Sequence, residues 1–161
     1  WYNSDVSGDI YANDWEHSDV RSWLNDNFIK DAFNNEQQNK IQLANTFKKI
    51  GYEFSDKIFF LSAKEITNKE FGFSADHFEE DKMRVALTTD YARAQGAWIS
   101  TKSKDYGSSS FYWLRSVNDD SSLFAAFVNN YGGLPAMGND VASKKGGYRP
   151  AIVVNKYDID T

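Results

Sequence analysis

Residues 111–120 read FYWLRSVNDD: three aromatics, a leucine, an arginine and a serine, then a valine and an amide–acid run. Gly107-Ser108-Ser109-Ser110 stands before this stretch and Asn118-Asp119-Asp120 closes it. A short apolar run bounded on both sides by turn residues fits a buried strand. Phe111 to Ser116 is therefore expected to be a core strand and Arg115 a structural cation. Functional interest moves a few residues on, to Asn118-Asp119-Asp120.

The pattern holds on either side. From residue 97 to 155 the chain is rich in Gly, Ser, Asn and β-formers. Trp98–Ser100, Leu123–Val128 and Ala151–Asn155 are the other expected strands, separated by turn signals at Asn129 to Gly133 and at Gly146-Gly147. Residues 15 to 95 are instead charged and helix-like. Ser18 is a good N-cap, and Val20, Trp23, Leu24 and Phe28 then share one helical face. A second helix is expected from Asn35 to Phe47, with Gly51 after it. Lys57 to Leu61 reads as a strand, and Ser62 with Glu65 makes a capping box for a short helix. Thr88 or Thr89 caps another, closed by Gly96. Helices first and strands later give an α+β chain whose helices pack on an antiparallel meander. At 161 residues it is expected to form a single domain.

Composition excludes several functions. The net charge is −5, unsuited to the positive face that phosphate binding needs, so no nucleic-acid partner is expected. The apolar run Lys57 to Ala63 is far too short for a membrane span, so no membrane insertion is expected. Trp1-Tyr2-Asn3-Ser4-Asp5 lacks the basic start and apolar stretch of a secretory leader. With no cysteine, thiolate metal sites and cysteine nucleophiles drop out. Aromatic residues make up 16% of the chain, enough to demand a packed core.

No G-x-S-x-G is present, and neither His17 nor His77 has a serine partner nearby in sequence. Glu79-Glu80-Asp81, followed by Lys82 and Arg84, reads as a solvated run. His17 lies beside Glu16 and Asp19, and an ordinary helix start is favoured there over a metal site. Calcium has hard oxygens at Asp119, Asp120 and Asp140, although Asn and Asp pairs also bond their own backbone in turns. Otherwise no cofactor is expected. The best pointer is aromatic and amide residues together in loops: Tyr106, Asn118, Asp119, Asp120, Asn129, Asn130, Tyr131, Asn139 and Asp140. Rigid ring area beside adaptable hydrogen bonding suits a ligand face.

Trp15-Glu16-His17-Ser18-Asp19-Val20-Arg21-Ser22-Trp23-Leu24-Asn25 resembles the signature of the bacterial DUF6273 family. Asp56 to Ser62 with Glu65, Tyr112-Trp113-Leu114-Arg115-Ser116, and Gly147-Tyr148-Arg149-Pro150-Ala151 continue the likeness in order. The later half also resembles the C-type-lectin-like fold. That resemblance implies structural roles for Trp15, Trp23, Trp113, Arg21, Arg115 and Arg149, with the tryptophans filling the helix–sheet core. Members of the DUF6273 family carry β-structure before the tryptophan signature, so the family resemblance implies that residues 1–161 lack N-terminal strands of the full domain. Strand Ala151–Asn155 is then expected to lack its partner, which another segment would supply.

The resulting expectation is a non-catalytic binding module of a bacterial surface or secreted protein, recognising a glycan or protein ligand through its C-terminal loops. A structural subunit of an extracellular polymer is the alternative. A carboxylate-based hydrolase is less favoured.

Overall fold

A computed structural model of the chain describes residues 2–4, 12–101, 107–117 and 121–158. Ser18 opens the first helix: its Oγ accepts from Arg21 N at 3.3 Å at the head of α1 (Asp19–Trp23). The helix runs on through a π-helical turn, Leu24–Phe28, into α2 (Ile29–Ala32). A π turn inserts extra backbone into a helix and re-aims a side chain. Here Asn25 of that turn reaches strand β2 (Ile58–Phe59), taking Lys57 N at 2.9 Å and Ile58 N at 3.1 Å and donating to Ile58 O at 2.9 Å. Its amide offers the donor and acceptor of a peptide group, so it stands in for a neighbouring strand.

The helix expected over 35–47 stops early. α3 (Asn35–Lys40), opened by the Asn34–Gln37 capping box, gives way to strand β1 (Ile41–Gln42) and then to 3-10 turns at Ala44–Thr46 and Lys48–Ile50. Pairing with the end of the chain outweighs local helix preference: Ile41 is buried opposite Val154 of β8 (Ala151–Val154). On its other side β8 pairs with β2, Ile58 against Ile152 and Phe59 against Ala151. The C-terminal strand is thus central in a sheet ordered β1-β8-β2, and the expected missing neighbour is replaced by two strands of the chain itself.

Helix α4 (Ala63–Ile66) carries the expected Ser62–Glu65 capping box, and a 3-10 turn follows at Lys69–Phe71. α5 (Asp90–Ala94) is capped by Thr89 Oγ1, which accepts from Ala92 N at 3.1 Å. The second half is not one meander. β3 (Ala86–Leu87) pairs with β4 (Ser109–Ser110), a strand in what reads as a turn. β5 (Tyr112–Val117), β6 (Phe124–Val128) and β7 (Asn139–Asp140) form the third sheet. Trp98–Ser100 joins no strand; Trp98 N donates to Lys145 O at 3.0 Å and Ser100 N to Ser109 O at 2.8 Å.

Strand alternation separates two cores. Trp113, Ala125 and the flanking Phe111 and Phe127 join Tyr2, Trp15, Ile58 and Phe60 on one side of the β5–β6 pair. Tyr112, Leu114 and Val128 join Ile66 and Leu134 on the other. The register shifts between Trp113 and Val117, and in that stretch Arg115 N bonds Leu61 O at 3.1 Å. This bulge carries the Arg115 side chain towards α4. The architecture is a mixed α/β one, with short helices and small antiparallel sheets.

Candidate ligand-binding cleft

The aromatic side of the β5–β6 pair continues past the core to the surface. Phe111 meets Trp113 edge-on at 5.8 Å and Phe127 at 5.6 Å between ring centroids. Trp98 lies 6.4 Å from Phe111 and keeps 40% of its surface exposed. Gly146 makes this approach feasible: an added Cβ would lie 2.3 Å from Trp113 Nε1 and 2.9 Å from a Phe111 ring carbon. The residue before it, Lys145, accepts from Trp98 N through its carbonyl at 3.0 Å. Trp98, Phe111 and Phe127 thereby line an open cleft of about 380 Å³.

Polar residues complete the cleft, and each is anchored at one end. Asn129 Oδ1 accepts from Tyr131 N at 3.1 Å and Gly133 N at 2.9 Å, building the turn after β6. Asn130 Nδ2 donates to Ser100 Oγ at 3.1 Å. Asn139 Oδ1 accepts from Asp140 N at 2.9 Å, and Ser143 Oγ from Lys145 N at 3.4 Å. The groups without a partner, among the described residues, are the donors Asn129 Nδ2, Asn139 Nδ2, the second N–H of Asn130, the Ser143 hydroxyl proton and Lys145 Nζ, and the acceptors Asn130 Oδ1 and one lone pair each on Asn139 Oδ1 and Ser143 Oγ.

The expected ligand set is thus divided. Asn129, Asn130 and Asn139 come together on the cleft. Tyr131 and Asp140 are exposed and lie outside its lining. Asp140 follows Asn139 in a strand, so it faces the opposite way, and its Oδ1 accepts from Ala142 N at 2.9 Å. Tyr106, Asn118, Asp119 and Asp120 lie outside the described residues. The rings of the cleft escaped sequence reading because Trp98 and Phe111 look like ordinary strand residues. The available signal was their position beside Gly- and Ser-rich turns.

The arginines meet protein partners. Arg115 forks onto Glu65, donates to Phe60 O at 2.9 Å and stacks over Tyr52 at 4.9 Å. Arg21 holds Asp56 at 2.7 and 3.2 Å and lies over Phe54 at 4.4 Å. Arg149 donates to Arg84 O and to the Tyr112 hydroxyl, each at 3.0 Å. Trp15 and Trp113 are in the core, Trp15 Nε1 donating to Tyr52 Oη at 2.6 Å. Trp23 departs from the expected core position: it is 37% exposed and packs against Phe28 and Tyr148.

Nor is the 79–84 run wholly solvated. Arg84 is fully buried, and the loop wraps it with Asp76 O at 2.8 Å, Glu79 O at 3.0 Å and the Asp81 carboxylate at 3.4 Å. At the helix start, Asp14 joins His17 at 2.7 Å with Glu16 beside them, while Asp19 instead accepts from Ser4 N at 2.8 Å. Burial and the Asp56 carboxylate push the Tyr52 hydroxyl well above its usual value, and burial does the same for Tyr2.

No helix of the described residues is long and apolar enough to cross a membrane. Neither the curated proteins nor the solved structures contain a match to the chain. The family model described as a domain of unknown function, DUF6273, matches residues 2–156. With the match running through the helices, all three sheets and the cleft, the chain belongs to the DUF6273 family.

Proposed function

We propose that this chain is a non-catalytic binding module that takes a saccharide in the Trp98–Phe127 cleft. The observation that carries the reading is the pairing of exposed ring area with amides each fixed at one end. A pyranose has an apolar face of C–H groups that packs on a ring and hydroxyls that both donate and accept. Pre-anchored amides meet those hydroxyls without first losing rotamer freedom. Among the described residues the cleft has no carboxylate, which favours binding over a carboxylate-based hydrolase. The assembly alternative would use strand edges and aromatic surface, and β8, paired on both sides, offers no open edge for it.

We propose further that the fold is C-type-lectin-like and that the protein belongs to a bacterial surface or is secreted. Helices that precede the longest strands support a C-type-lectin-like identity for the fold. Placement on a bacterial surface or in a secreted protein rests on the saccharide reading. The test is a glycan array probed with wild type, Trp98→Ala and Asn129→Ala. The expected result is a defined set of glycans bound by wild type and lost with Trp98→Ala. An empty array for the wild type, or an identical profile for Trp98→Ala, overturns the reading.

A further inference from the structure

The polar inventory of the cleft is lopsided. Asn129 Nδ2, Asn139 Nδ2, the second N–H of Asn130, the Ser143 hydroxyl and Lys145 Nζ can all donate, against Asn130 Oδ1 and one remaining lone pair each on Asn139 Oδ1 and Ser143 Oγ. A neutral sugar, whose hydroxyls donate as readily as they accept, would leave part of that donor set unused. An anionic oxygen group accepts several donors at once and gains most from a cation.

The charge pattern agrees. The chain carries −5 overall, yet the lining of this cleft has one cation and, among the described residues, no acid. Asp140, the nearest acid in sequence to Asn139, is turned to the other side of β7 and occupied by Ala142 N. Lys145 Nζ has no partner among the described residues, whereas its backbone is fixed by Trp98 N and by the Ser143 hydroxyl. A tethered backbone, and an ammonium without a partner among the described residues on a residue that lines the same cleft as the rings, suit a negative substituent on a stacked ring.

We propose that the ligand is an anionic saccharide, its ring on Trp98 and its acidic group on Lys145 with the Asn129 and Asn139 amide donors. This rests on the saccharide reading of the same cleft. Lysine is a point charge without a planar fork, so the site accepts a carboxylate or a sulfate alike.

The experiment is calorimetric titration of wild type, Lys145→Gln, Lys145→Glu and Trp98→Ala with oligogalacturonate, a sulfated glucosamine oligomer and neutral maltohexaose. The expected result is that wild type binds at least one anionic oligomer more tightly than the neutral one. Lys145→Gln should cut that preference about fivefold, the value of one ion pair at an open site. Lys145→Glu should cut it further, added salt should weaken it in the wild type, and Trp98→Ala should lose binding altogether. Melting curves of the Lys145 variants, altered only at an exposed side chain, should match the wild type. Whichever anionic oligomer is preferred identifies the acidic group. Equal binding of neutral and anionic oligomers, or a preference retained in Lys145→Glu, overturns the anionic inference and leaves the saccharide reading standing. No binding of any oligomer by the wild type overturns both.

Discussion

The Glu65 carboxylate does two things at once: it accepts from Ser62 N at 2.8 Å to close the capping box of α4, and it takes the fork of Arg115 from β5. Glu65 is buried and Arg115 nearly so, with side-chain exposures of 4% and 12%. A pair of this kind is costly to break from one side, because the survivor is left charged in a poor solvent. Glu65→Gln should therefore lower stability by about 3–5 kcal/mol in urea unfolding. The double change Glu65→Leu with Arg115→Met should recover most of that loss. Equal instability of the double and single variants would contradict this account.

Asn25 completes the edge of β2 from within a helix. Replacing it with alanine strands the Ile58 amide and carbonyl and the Lys57 amide in a partly buried place. The expected cost is about 1–3 kcal/mol. Hydrogen exchange should localise the damage, with the amides of Lys57 and Ile58 exchanging faster and those of β6 unchanged.

Glycines 132, 146 and 72 should separate three kinds of constraint. At Gly132, φ is +87° and a Cβ would lie 2.1 Å from Asp81 O, so alanine faces backbone strain and a backbone clash together. At Gly146 the obstacle is the rigid Trp113 indole, and alanine there should cost about 1–3 kcal/mol and distort the cleft. At Gly72, φ is +85° with nothing nearby, leaving only the left-handed penalty of about 1–2 kcal/mol. Thermal melts should rank Gly132→Ala as the most damaging and Gly72→Ala as the least.

Alkaline pH should unfold the protein through its tyrosines. Tyr148, set between Trp23 and Phe60, is desolvated with Asp19 nearby, and its hydroxyl is pushed from 10.0 up to about 12. Burial raises Tyr2, Tyr52 and Tyr112 as well. Below pH 10 both folded and unfolded chains keep these protons, and stability is level. Above it the unfolded chain ionises first, so stability falls as pH rises from 10.0 through about 12. Tyr148→Phe should make the fall over that interval shallower in chemical unfolding, with tyrosinate absorbance appearing late in the folded protein.

Local chemistry was legible along the chain. The Ser18, Ser62 and Thr89 caps and the core strand around Trp113 each depend on neighbours a few residues away, and each is found in place. The candidate site was legible only as amides in loops. Asn129 and Asn130 were visible because a turn-forming Asn-Asn-Tyr-Gly-Gly segment follows β6.

Pairing between distant segments was decided by tertiary structure. Ile41 belongs to a helical pattern until Val154 competes for it, and a two-residue strand such as Ser109–Ser110 exists only because Ala86–Leu87 lies alongside. The cleft is of the same kind. Trp98, Phe127 and Lys145 are far apart in sequence and meet because Gly146 lets the backbone close on Trp113 and Phe111. By itself the sequence determined caps, strand alternation and the demand for an aromatic core, since these follow from bonding within a few residues. Which strands pair and which rings reach the surface depend on free energies gained only when remote segments bury one another, and only the folded chain decides them.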